Sequence, residues 1–138
     1  MKYVTCHIAA LLFATQAFAL DVGDVATFDR RVITPDELHY YEDEQSLKPL
    51  RAFIEVHNFR PMSTPSGQRF AMVTVENQLD GRQIIEPRDF VGIYADGVRI
   101  NPVFRSITLE PREIRTIVLP FESHSFPLVK ILIDNDEE

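Results

Sequence analysis

Apolar and polar residues alternate in short runs along most of this chain, and the runs are separated by proline, glycine, asparagine and aspartate. A period of two puts alternate side chains on opposite faces of a strand, whereas an amphipathic helix needs apolar positions every three or four residues. The pattern predicts strands from Val22 to Phe28, Leu50 to Phe59, Arg69 to Asn77, Phe90 to Ala95, Val98 to Asn101, Arg115 to Phe121 and Leu128 to Asp134. About seven short strands with little helical periodicity predict an all-β, immunoglobulin-like antiparallel sandwich of two packed sheets. Asp96-Gly97 predicts a two-residue type I′ hairpin, because that turn needs positive φ at both central positions. Asp80-Gly81 marks a second turn, inside a loop that runs to Pro87.

The segment from Asp29 to Pro49 does not settle into one pattern. Thr34-Pro35-Asp36-Glu37 has a threonine cap, a first-turn proline and a glutamate three residues on, the start signals of a helix. The residues that follow, Leu38 to Glu44, carry no continuous apolar stripe, so helix, irregular strand and acidic loop all stay open.

At the other end of the scale is the uninterrupted apolar run from Ile8 to Ala14, far short of the ~20 residues of a membrane-spanning helix. Lys2 precedes it and the small-x-small triplet Ala17-Phe18-Ala19 follows, with Asp21 and Asp24 immediately after. Met1 to Ala19 therefore reads as a cleaved secretory signal, leaving residues 20–138 as one domain, periplasmic or secreted, with no transmembrane span. Loss of the leader removes Cys6, the one cysteine, so an exported fold must stand without disulfides and without thiol chemistry. It also removes Lys2 and takes the formal net charge one unit below −7, which repels nucleic acid and anionic lipid.

A resemblance emerges from several stretches taken in order. Val22-Gly23-Asp24, Val73-Thr74-Val75-Glu76-Asn77, Pro87 to Phe90, Asp96-Gly97, Leu109-Glu110-Pro111-Arg112-Glu113 and Val118-Leu119-Pro120-Phe121 resemble the immunoglobulin-like domain of bacterial extracytoplasmic proteins known as DUF4352. Members of that family usually carry glycine where Arg112 stands. The resemblance implies an exported, non-enzymatic β-sandwich, often an accessory or binding module, with no catalytic residues to carry over.

Alternation also sorts the strand residues into faces. From Leu50 to Phe59 it assigns Leu50, Ala52, Ile54 and Val56 to the core and turns Phe53, His57 and Phe59 outward. From Arg69 to Asn77 it assigns Ala71, Val73 and Val75 to the core and turns Phe70 and Met72 outward. With a loop from Arg60 to Gln68, Phe59 would lie near Phe70 and His57 near Met72. Phe53, His57, Phe59, Phe70 and Met72 thus form the candidate partner surface, unless Tyr40, Tyr41 or Leu47 folds over it.

Other chemistry is sparse. His57, Met62, Met72 and His124 are ligand types suited to a soft ion, but their spacing is diffuse, and no cofactor is expected. Asp134 to Glu138 lacks the glycine and distal glutamate of a calcium loop. No nucleophile elbow, phosphate loop or His-Glu-x-x-His helix appears, and the adjacency of Ser123, His124 and Ser125 does not make a catalytic pair. Two readings follow. One is an adaptor that binds another envelope or secreted protein through its outer face or a sheet edge; the other is a carrier of a metal ion or small apolar ligand.

Overall fold

The computed structural model describes residues 23–30 and 47–134. The expected leader, residues 31–46 of the unsettled segment and the last four residues lie outside the described residues. Nine strands are described: β1 (Thr27–Phe28), β2 (Ile54–Ser63), β3 (Arg69–Asn77), β4 (Gln83–Ile85), β5 (Val91–Tyr94), β6 (Arg99–Ile100), β7 (Ile107–Leu109), β8 (Ile114–Phe121) and β9 (Leu128–Leu132). Every pairing between them is antiparallel. The helical content of the described residues is one 3₁₀ turn, Pro87–Asp89, so the chain is all-β as its alternation predicts.

Three sheets result, in the orders β1-β2-β3-β8, β4-β7 and β6-β5-β9. The inner face of the four-stranded sheet supplies Ile54, Ala71, Val73, Val75, Leu119 and Phe121 to the core. The two smaller sheets send Ile85, Leu109, Tyr94 and Leu128 into the same buried cluster. Side chains from facing sheets therefore share one interior, an arrangement compatible with a β-sandwich. Packing is tight enough at Gly92 in β5 that a Cβ there would lie 2.5 Å from Phe121 Cε1 and 2.9 Å from Leu128 Cδ2. Glycine is required here because an aromatic ring occupies the space of a side chain.

β4 and β7 are additions to the expected strands. Each is three residues long, too short to show a period of two, and they pair with each other. The first expected strand shrinks to Thr27–Phe28. Leu50, expected in the core, is instead 46% exposed, because the chain there is not yet in the four-stranded sheet. Arg51 pairs in parallel with Asp134 beside the end of β9, and the chain crosses to β3 only at Ile54.

Both hairpin loops have three residues. In the β5–β6 hairpin the Tyr94 N–H donates to Val98 O at 2.9 Å and the Gly97 N–H to Tyr94 O at 2.9 Å, with Gly97 at φ 87°. Asp96 does not take positive φ, so the expected hairpin is present but its turn is not type I′. The geometry is that of a turn closed by a left-handed glycine. Thr64, Gly67 and Gln68 repeat it between β2 and β3, with Gly67 at φ 91°.

Candidate interaction face

The loop expected from Arg60 to Gln68 is mostly strand. Pro61 is tolerated because its backbone faces away from β3, toward β1, where its carbonyl accepts from Asp29 N–H at 3.1 Å. The missing N–H therefore forfeits a bond only on the side of the two-residue β1 and leaves the β2–β3 ladder intact. The pairing of β2 with β3 shifts between Val56 and Asn58, so His57 is an extra, bulged residue. Everything C-terminal to it changes face relative to strict alternation. Phe59 turns inward opposite Val73 and packs on the core, while Arg60 and Met62 turn outward.

The outer face is consequently organised in four registered rows. Phe28, Met62, Phe70 and Pro120 form the first, and Arg60, Met72 and Val118 the second. Asn58, Thr74 and Thr116 form the third, where the two threonine hydroxyls hydrogen-bond at 2.9 Å. Glu55, Glu76 and Ile114 form the fourth, with His57 reaching in from the bulge. The first two rows are apolar apart from Arg60, whose guanidinium lies over the Phe28 ring at 4.1 Å from its centroid. Phe28 is 40% exposed and Val118 52%.

Of the predicted surface, then, Phe70 and Met72 lie together in the apolar half. Phe59 is not part of it, and the expected neighbours differ: Met62, not Phe59, stands opposite Phe70, and Arg60, not His57, opposite Met72. Phe53 is exposed beneath the Arg51 guanidinium, and its carbonyl accepts from Gln78 N–H, which places it past the far, polar end of the face. His57 belongs to that polar end. Its Nε2 lies 2.6 Å from Glu76 Oε2 and its Nδ1 3.6 Å from Glu55 Oε1. Alternation alone does not reach Phe28, Met62, Val118 or Pro120; only Met62 has a local signal, in apolar residues at 54, 56, 59 and 61 with the polar pair His57-Asn58 interrupting the period.

Strand β8 also borders this face. Ile114, Thr116 and Val118 point their backbone groups away from β3, and among the described residues they have no backbone partner. Pro120, the next in that series, accepts from Val103 N–H at 2.7 Å. Leu47 does not cover the apolar rows, since its carbonyl meets Arg99 of β6 on a different sheet; Tyr40 and Tyr41 lie outside the described residues.

The residues considered for a soft ion do not converge. His57 lies toward the Asn77 end of β3, whereas His124 lies at the Arg69 end, where its N–H donates to Gly67 O. There His124 stacks on Tyr94 with ring centroids 3.9 Å apart and its Nε2 sits 3.3 Å from Asp96. Arg69 clamps the same region by donating to the His124 and Ser125 carbonyls and to Ser63 Oγ. An open cleft of about 510 Å³ runs between the Pro65–Gly67 loop and Ser123 to Ser125. The hydrogen bonds of its lining are directed into holding the loops together. The phenol of Tyr94, donating to Glu122 O and buried, has its pKa pushed up to about 12 by burial, with Glu122 adding to the shift.

Comparison with protein-family models, with curated proteins and with solved structures finds no match to this chain. Among the described residues no helix is long and apolar enough to cross a membrane.

Proposed function

We propose that this protein is an exported, non-enzymatic β-sandwich module that binds another protein of the cell envelope or the surrounding medium on the outer side of its four-stranded sheet. The observation that carries the reading is the pair of apolar rows, Phe28, Met62, Phe70 and Pro120 beside Met72 and Val118, on a face that the second layer does not cover. Apolar side chains set side by side on an outer face are the usual mark of a contact surface. Arg60 over Phe28 gives the patch a charged margin of the kind enriched at protein interfaces.

The open edge of β8 supports the same reading. Unpaired N–H and C=O groups at Ile114, Thr116 and Val118 offer main-chain hydrogen bonds to an added strand, with the exposed Val118 side chain contributing to the apolar patch. The accessory role implied by the DUF4352 resemblance is consistent with a module of this kind. A carrier of an apolar molecule between the sheets is less well supported, since Phe121 and Leu128 already close on Gly92 there.

Chemical crosslinking in cells, followed by capture and mass spectrometry, tests the proposal with wild type and the Phe28→Ser/Phe70→Ser pair. One partner recovered with wild type and lost with the pair, at equal protein level, is the expected result. A partner retained by the pair would overturn the assignment to this face.

A further inference from the structure

We propose that Glu55, His57 and Glu76 form a binding site for a divalent transition-metal ion, zinc being the ion that suits their donor set. The site is independent of the protein-docking reading, although it lies at the polar end of the same sheet face. The three side chains offer one imidazole nitrogen and two carboxylate oxygens, all within 4.8 Å of one another. One nitrogen and two oxygens from the protein, with water completing the shell, match the three-ligand sites that zinc occupies. Calcium and magnesium prefer shells made of oxygen alone and make poor use of an imidazole.

The bulge creates this convergence. Without the extra residue, the outward positions of β2 after Glu55 would run at two-residue intervals, and no histidine would be inserted between the third and fourth rows. With it, His57 leans across to β3 and meets Glu76. Bulges re-aim side chains and are common beside functional sites.

A second observation is the charge across the ladder. Glu55 and Glu76 are direct partners in the register, and like charges placed opposite one another on a sheet are destabilising. Among the described residues, neither carboxylate is in an ion pair with lysine or arginine, and Arg112, which feels the charge of Glu76, is bound to Asp80 at 2.8 Å. A cation between the two glutamates relieves that repulsion, and the imidazole is placed to help hold it.

The surroundings fit as well. Gln78 Nε2 donates to Glu55 Oε2 at 3.0 Å, which fixes that carboxylate and leaves Oε1 toward His57. Hydrogen bonds of this sort orient metal ligands in known sites. The exposure of His57 and Glu55, 38% and 53% of their side chains, leaves room for water. Two adjustments are needed: the 2.6 Å contact between Nε2 and Glu76 must open to about 3.3 Å, the spacing of two ligand atoms each ~2.0–2.1 Å from a tetrahedral ion, and Glu55 Oε1, which lies 3.6 Å from Nδ1, must swing toward the Nε2 side.

Zinc sulfate titrated into the full chain, made without a polyhistidine tag and in competition with a chromophoric chelator, tests the site. Wild type and His124→Gln should bind one ion with equal affinity. In known sites, removal of a group that merely orients a ligand costs ~10–100-fold, so His57→Gln and Glu76→Gln should each weaken binding at least about tenfold. Glu55→Gln supplies a second carboxylate variant should Glu76→Gln fold poorly. Zinc should also raise the melting temperature of wild type and not that of His57→Gln. Absence of binding to wild type, or equal binding by all the variants, would overturn the proposal.

Discussion

At Arg112 the backbone takes φ 54°, a left-handed conformation in which a side chain is strained and glycine is not. The Glu110–Glu113 turn requires it, and the guanidinium is held from outside by Asp80. Glycine meets the demand of this turn without strain, a demand that the sequence pattern alone does not reveal. Arg112→Gly should melt no lower than wild type, whereas Arg112→Val, a branched side chain at positive φ, should melt clearly lower; the reverse order would refute this account of the turn. Tyr94 gives a second test at this scale. Its folded pKa of about 12 exceeds the unfolded value near 10, so the folded state holds the proton more tightly. The stability contributed by the neutral phenol is complete below pH 10 and is lost as pH rises from 10 through 12. Thermal melting followed over that window should fall more steeply for wild type than for Tyr94→Phe.

Among the elements, β2 and β3 show what the chain made legible and what it did not. Ala71, Val73 and Val75 alternate without interruption, and all three are fully buried as their pattern predicts. Val75→Asp should therefore cost several kcal/mol, about 3–5 by analogy with other unpaired buried charges, measured by denaturant unfolding. β2 defeats the same reasoning because its period slips at His57, and the proline at 61, ordinarily a strand breaker, turns its missing N–H away from β3. Only a register against β3 settles which residues the slip moves, and that register is a long-range property. Since His57 is the surplus residue, its deletion should leave Val56 and Phe59 on the core face and melt within about 5 °C of wild type, roughly 1 kcal/mol for a domain of this size. Loss of the fold on that deletion would mean the bulge is needed for more than the site it builds. In β5 the constraint is opposite: Gly92→Ala has no room and should cost about 1–3 kcal/mol through overpacking against Phe121.

For the molecule as a whole, the all-β class was readable from alternation, while the outer surface was readable only in part. Alternation places Phe70 and Met72 on the outer face because β3 is regular, and misplaces Phe59 because β2 is not. The corrected face gathers residues from four strands that no local pattern links, Phe28 and Val118 among them. Its apolar half and its Glu55–His57–Glu76 end lie on one sheet, so a partner and an ion would share a single rigid platform. The most direct test of the docking reading is a photocrosslinking residue placed singly at Val118 and, for comparison, at Ile84, which is 62% exposed on the separate β4–β7 sheet. A single adduct formed from position 118, absent from 84 and abolished by Phe70→Ser, is the result the account predicts. Equal adducts from both positions, or none from 118 in cells where the protein is folded and exported, would contradict it.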